Sequence, residues 1–349
     1  MEKLNIEVEV MDYRTAAKEI SKGNIQPIYV CYGSESFLMK EFITYVTDQW
    51  IETDDRDFAV SRFDLGETNV ETIIDDAETL PFMGGRKLII AKDAHFFTAA
   101  KEASKMEHRL DRLAEYLQAP ADFSVILFTV GADKLDERKK IVKSISERKA
   151  LIPFPLLSGD DLTYWIRRQS EKVHVSLDDA ALHTLVLSCG ANLQNISGEM
   201  EKLSLYVGEN GVVTADIVEG MVARSTEQNV FLMIDELARL HVDKALRILY
   251  DLLKHKEEPV KILSLIARQF RSMLLVKQLT KQGFSQQQLA TQLGLHPYAV
   301  KIAAEQARLY EVDKLKLTIS RLAEMDYQMK MGKMDKVLAL EMFMLQLAV

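Results

Sequence analysis

The sequence predicts an α/β domain built on a mainly parallel sheet, followed by a remainder that is all α. Two observations carry this reading. Over residues 1–155, short apolar runs rich in β-branched and aromatic residues alternate with segments of helical spacing, the pattern of βαβ units whose sheet is covered on both faces. Beyond Pro153 and Pro155 the strand pattern stops, and every later segment reads as helix.

The elements follow in order. A buried strand is expected over residues 27–32 (PIYVCY), then Gly33 and a helix over 37–51. Further strands are expected over 58–65, 86–91, 123–130 and 150–154, with helices between them over 70–80, 105–117 and 136–148. Ser158, Gly159, Asp160 and Asp161 then offer turn and N-cap residues. Helices over 162–173, 178–188, 193–207 and 215–221 form a small helical group. Those over 230–240, 243–254, 259–282, 285–293, 297–309, 312–331 and 337–349 form a larger one. Three domains are therefore expected, at 1–155, 156–222 and 223–349.

Composition narrows the function classes. A chain of 349 residues suits two or three domains, and 48% apolar with 28% charged residues is a globular balance. No run of eighteen uninterrupted apolar residues occurs and the first residues are acidic, so no membrane span and a cytoplasmic location are expected. Cys31 and Cys189 are far apart and support neither a disulfide framework nor a thiolate metal site. The seven histidines form no ligand-spaced pair, and no G-x-S-x-G elbow is present. Adjacent carboxylates such as Asp54 and Asp55 point in different directions and make no acid–base couple. The net charge is −8, yet residues 254–336 hold fifteen Lys or Arg against eight Asp or Glu. That third of the chain could face an acidic partner or simply present solvated helix faces.

The turn after the first strand sits where an α/β nucleotide-binding fold keeps its phosphate loop. A G-x-x-x-x-G-K-[ST] loop needs a second glycine, a lysine and a hydroxyl. Counted from Gly33, those places hold Leu38, Met39 and Lys40, and Glu35 puts a negative charge where phosphate would lie. The third strand ends on Lys92 and Asp93, a cation before a lone acid, where Mg²⁺ would need an acidic pair. No intrinsic ATPase activity and no cofactor are expected.

A second connection carries the opposite signal. Pro81 ends the preceding helix at or before Leu80, and Gly84 and Gly85 open the turn into the next strand. Phe82 and Met83 are thus two large apolar residues on a short surface connection, either folded back onto the sheet or offered to a partner's pocket.

At this point the chain resembles the delta-subunit family of bacterial DNA polymerase III, the clamp-loader members that open the sliding clamp, and most of all its low-GC Gram-positive representatives. The similarity runs through Ile28 to Glu35 with Phe37 and Leu38, the connection from Leu80 to Arg86, and Asp133 to Lys140. It continues through Leu193 with Glu199 to Leu203, then Gln269, Phe270 and Arg271, then His296 to Lys301. It ends on Asp326 through Lys330, Gly332 and Lys333 to Leu340 and Glu341. The resemblance implies an AAA+-like parallel-sheet domain without a working ATP site, a small helical lid and a C-terminal helical collar that assembles with other subunits.

The family's hydrophobic plug for the clamp falls, counted back from Arg86, on Phe82 and Met83. Methionine departs from the phenylalanine or leucine more usual there, so Leu80 is a further candidate. The implied partners are the sliding clamp (beta subunit), the tau/gamma and delta prime subunits of the loader, and primer–template DNA in the assembled complex. The implied role is to bind and open the clamp during DNA replication, itself non-catalytic, within a holoenzyme that is a DNA-directed DNA polymerase and nucleotidyltransferase. The rival readings are a divergent AAA+ ATPase and a stand-alone DNA-binding protein. The basic run 134–149 resembles the family too, but the periodicity of Leu135, Ile141, Val142 and Ile145 makes it first an amphipathic helix with a solvated face.

Overall fold

Strands β1 (Ile28–Tyr32), β2 (Val60–Asp64), β3 (Lys87–Lys92), β4 (Ser124–Val130) and β5 (Leu151–Pro153) form one sheet of order β2-β3-β4-β1-β5. Every neighbouring pair is parallel. Consecutive residues of a strand point to opposite faces, yet β1, β3 and β4 are buried almost without interruption, so both faces of the sheet are covered. The edge strand β2 is largely solvated. This computed structural model describes residues 10–81, 85–99 and 106–347, and the chain divides into two units, residues 1–156 and 157–349.

In the first unit the helices are α1 (Tyr13–Ser21), α2 (Ser36–Trp50), a single turn α3 (Arg56–Ala59), α4 (Val70–Glu78), α5 (Leu110–Tyr116) and α6 (Lys140–Glu147). Helix α1 was not foreseen. Its apolar residues Tyr13, Ala16, Ala17 and Ile20 fall at helical spacing, of which Ala16 and Ile20 are buried, and Asp12 caps it by accepting from the Arg14 N–H at 2.9 Å. The strand expected from residue 58 begins at Val60, because α3 precedes it and leaves Phe58 74% exposed. Helix α6 starts four residues later than its pattern suggested. There Asp136 turns the chain, accepting the Lys139 N–H on its carbonyl and Arg138 on its carboxylate. The core of the sheet includes an aromatic group in which Phe97 and Phe96 meet Phe128 edge-on.

The second unit comprises α7 (Gly159–Lys172), α8 (Asp179–Cys189), α9 (Leu193–Val207), α10 (Ala215–Met221), α11 (Thr226–Ala238), α12 (Val242–Lys254), α13 (Pro259–Lys281), α14 (Gln286–Leu293), α15 (Pro297–Ala307), α16 (Val312–Lys330) and α17 (Lys336–Leu347). The expectation of helix alone is corrected here: β6 (Ser176–Leu177) and β7 (Val212–Val213) pair in parallel. Two residues per strand are too few to show a period of two. Caps match the local sequence. Asp178 accepts from the Ala181 N–H, Asn192 from Asn195, Ser285 and Gln288 form a reciprocal capping box, and proline opens α13 and α15.

Helix α13 is the axis of the C-terminal part, packing against α11, α15, α16 and α17. Its Phe270 is fully buried and meets Tyr310 and Phe343 edge-on, with ring centroids 5.5 and 6.3 Å away. A buried polar relay runs alongside, from the Gln269 amide to Gln306 and on to the Phe231 carbonyl. Helix α8 packs against α11, and the Ser225 N–H donates to the Ser188 carbonyl.

Candidate functional site

The turn from β1 into α2 lies at the carboxyl end of the parallel strands, where open α/β sheets bind ligands. Its backbone is occupied by the protein itself. The Gly33 N–H donates to the Val130 carbonyl at 3.1 Å and the Glu35 N–H to the Phe154 carbonyl at 3.0 Å. The Ser36 N–H goes to the Ser34 carbonyl, and the Phe37 N–H to the Glu35 carboxylate. A phosphate cradle works by aiming such N–H groups at the ligand; here they are already engaged.

Side chains fill the remaining space. Glu35 is buried at the N-terminus of α2, where its carboxylate takes the place of an anion, and burial pushes its pKa up against the opposing effect of the Phe37 N–H. Leu38 and Met39 are buried in the core and Lys40 points to solvent. Ser34 donates to Asp133 at 2.6 Å, tying the turn to the loop after β4. Gly33 has φ +138°, and a Cβ there would lie 2.2 Å from the Phe154 carbonyl oxygen, so this glycine serves close backbone approach rather than a ligand. At the end of β3, Asp93 is more than half exposed, with the His95 imidazole 4.0 Å from its carboxylate.

The connection from α4 to β3 lies at the opposite, amino end of the strands. Phe82 and Met83 fall outside the described residues; Leu80, Pro81, Gly85 and Arg86 bracket them. Leu80 is 75% exposed, an unusual position for a leucine beside a proline. At the helix end, Thr79 closes α4 by donating its N–H and hydroxyl to the Asp75 carbonyl, and Ser124 of β4 donates to the Ala77 carbonyl. Lys87, the first residue of β3, is buried and sends its ammonium to the Asp76 carbonyl and carboxylate, each at 2.7 Å. At the strand end, the Arg86 guanidinium lies 4.2 Å from the Trp50 ring centre and the Trp50 indole N–H donates to the Lys87 carbonyl. The sequence reading overlooked Lys87 and Trp50; a lysine opening an otherwise apolar strand was the available signal.

Elsewhere the flagged groups have ordinary surroundings. Burial pushes the Cys31 thiol up, and the Cys189 thiol up to about 12, so neither is a ready nucleophile. In the basic C-terminal third, Lys261 pairs with Glu257, Arg268 with Glu227, Lys330 with Asp326, and Lys277 caps α15 through the Ala307 carbonyl. Among the described residues no helix is long and apolar enough to cross a membrane.

A parallel α/β unit with a self-filled phosphate turn, joined to a largely helical unit, is an AAA+-like subunit architecture. The family model "DNA polymerase III, delta subunit" matches residues 29–154, and "DNA polymerase III delta subunit, C-terminal domain" matches residues 227–347. The chain is 39% identical to DNA polymerase III subunit delta of Bacillus subtilis over 330 residues, covering 95% of each. It is 22% identical to a probable DNA polymerase III subunit delta of Aquifex aeolicus, over 73% of this chain and 72% of that one. A solved structure of the Bacillus subtilis DNA clamp loader delta protein superposes with TM-score 0.82 at 38% identity, covering 96% of this chain and 99% of that chain. The chain therefore belongs to the DNA polymerase III delta-subunit family and to the clamp-loading machinery of replication.

Proposed function

We propose that this chain binds and opens the sliding clamp through the α4–β3 connection, without chemistry of its own. The observation that carries the reading is the exposure of Leu80 at the head of a connection whose apolar residues Phe82 and Met83 match the plug positions of the family. A plug of this kind acts by differential affinity: binding tighter to a clamp interface in its open form shifts the ring towards opening, by no more than that difference. The closed phosphate turn supports a non-catalytic role, with nucleotide handled by other subunits of the loader.

In this reading residues 1–155 form the clamp-binding domain, 156–222 a lid and 223–349 a collar. The collar joins the tau/gamma and delta prime subunits, primer–template DNA enters only with the assembled loader, and the work is done in the cytoplasm. The test is Phe82→Ala with Met83→Ala in the full chain, measured for affinity to the purified clamp without ATP and for thermal midpoint. Two buried anchors of this size cost about 2–4 kcal/mol each on truncation. Binding should therefore weaken by roughly a hundredfold or more at an unchanged midpoint. Unchanged affinity with a lower midpoint would mean that the pair is an internal staple.

A further inference from the structure

Helix α17 has two apolar faces, and the fold uses one of them. Nine of its twelve residues are apolar, more than a single buried stripe requires. Ala339, Leu340, Phe343, Met344 and Leu347 are buried in the core of the helical unit. On the opposite side Leu338, Met342 and Leu345 are 50, 39 and 54% exposed. They are spaced four and then three residues apart, so at roughly 100° per residue they share a stripe about 60° wide. A helix that is apolar all round is normally covered all round. The spacing is that of a seam along which one helix receives another.

The rim of this stripe has its own chemistry. Glu341, one turn from both Leu338 and Leu345, accepts the hydroxyl of Tyr250 on α12, which sets the Tyr250 ring beside the stripe, 49% exposed. The two polar groups nearest the stripe are thus already bonded to each other, and covering it strands neither. One turn to either side of Tyr250 on α12 stand Arg247 and Lys254, exposed and, among the described residues, in no ion pair. The acid on that face of α12, Asp243, lies a further turn out. Carboxylates are what such a rim favours, whereas a second copy of the same face would set cation against cation.

We propose that the outer face of α17, with Tyr250 of α12, is a docking seam for an amphipathic helix of another loader subunit, one whose apolar stripe is flanked by Asp or Glu. The inference rests on reading residues 223–349 as the collar. Covering Leu338, Leu345 and Tyr250 supplies the attraction, and pairing of Arg247 and Lys254 with the partner's carboxylates sets direction and register. The seam consists of side chains that the fold of the free chain leaves in water, so removing them costs assembly rather than stability.

The test uses three variants of the full chain: Leu338→Ser with Leu345→Ser, Arg247→Glu with Lys254→Glu, and, as a control outside residues 223–349, the exposed pair Leu205→Ser with Val212→Ser. Affinity for the other purified loader subunits, thermal midpoint and the oligomeric state of each chain alone are measured. The leucine pair should bind the subunits about thirtyfold more weakly or worse, the scale of two half-exposed leucines denied burial, at a wild-type midpoint. The charge pair should bind about three- to tenfold more weakly at low salt, with the loss fading as salt rises. The control pair should bind as wild type does. Wild-type affinity in the leucine pair, beside a wild-type chain that assembles, would overturn the seam and leave the collar reading standing. Equal losses in the leucine and control pairs, or tighter binding by the charge pair, would also overturn the seam. A wild-type chain that does not assemble would overturn both readings. Self-association of the wild-type chain that the leucine pair abolishes would give the face to a second copy and overturn the acidic partner.

Discussion

The two turns at opposite ends of the sheet differ in what their backbone and side chains are engaged with. At the carboxyl end, where ligands normally bind, the β1–α2 turn spends its N–H groups on Val130 and Phe154 and fills its anion position with Glu35. At the amino end, usually given over to structure, the α4–β3 connection leaves Leu80 exposed between tightly held ends. The first turn is packed against its own fold, whereas the second begins on an exposed leucine. A turn that packs should answer mutation with lost stability. A turn that recognises a partner should answer with lost binding.

Grafting a phosphate motif onto the first turn gives the largest expected effect. Leu38→Gly, Met39→Lys and Lys40→Thr together remove a buried leucine, put glycine in a helix and bury a charge. A cost of roughly 4 kcal/mol or more is expected, from about 2–5 for the leucine and about 1 for the glycine. The triple variant should lose cooperative unfolding of the first unit and still show no heat of Mg-ATP binding by titration calorimetry. ATP binding by a folded triple variant would break the comparison. Gly33→Ala is next. Its Cβ would collide with a backbone oxygen that cannot swing aside, and the φ is one that side chains resist, so about 3 kcal/mol is expected in a urea unfolding series. Clamp affinity of the folded fraction should be untouched, in contrast to the Phe82 and Met83 variant.

Glu35→Gln is the smallest change and sharpens the comparison through pH. Burial raises the Glu35 pKa above its ordinary 4.5 in the folded chain. The native state then holds the proton more tightly than the unfolded state does. The contribution of Glu35 to stability therefore falls as pH rises from 4.5 through the raised value, and is level beyond it. Glutamine mimics the protonated acid and has no such step. The variant should be the more stable at pH 7, and the gap should close as pH falls towards 4.5, as read from urea midpoints at both values. A gap that widens on acidification would mean that the carboxylate is stabilising where it stands.

Much of this was legible in the residues. The central strands announce themselves as continuous apolar runs because both their faces are covered, and the departure from the phosphate-loop pattern is visible in Leu38, Met39 and Lys40 alone. What the sequence hid has a physical cause in each case. Helix α1 carries Tyr13, Ala16, Ala17 and Ile20 at helical spacing, but two of the four are alanines and the segment is only nine residues long, so the signal was passed over. Strands β6 and β7 are shorter than any period. Trp50 and Lys87 meet only after α2 and β3 are laid side by side, and no local window spans that distance. The plug residues Phe82 and Met83 came from likeness to a family, since spacing by itself left a partner's pocket and a local staple both open.

Phe154 gives the closed phosphate turn a further meaning. Its N–H bonds the Tyr32 carbonyl at 2.7 Å, its carbonyl receives the Glu35 N–H, and its ring lies against Tyr13 and Phe42. Two residues later, at Leu156, the first unit ends. The place where the chain departs is thus riveted to the very loop that a nucleotide would otherwise load and unload. The end of the first unit is thereby tied through one residue to both β1 and the β1–α2 turn, so a change in that turn would be felt at the point where the chain leaves the unit.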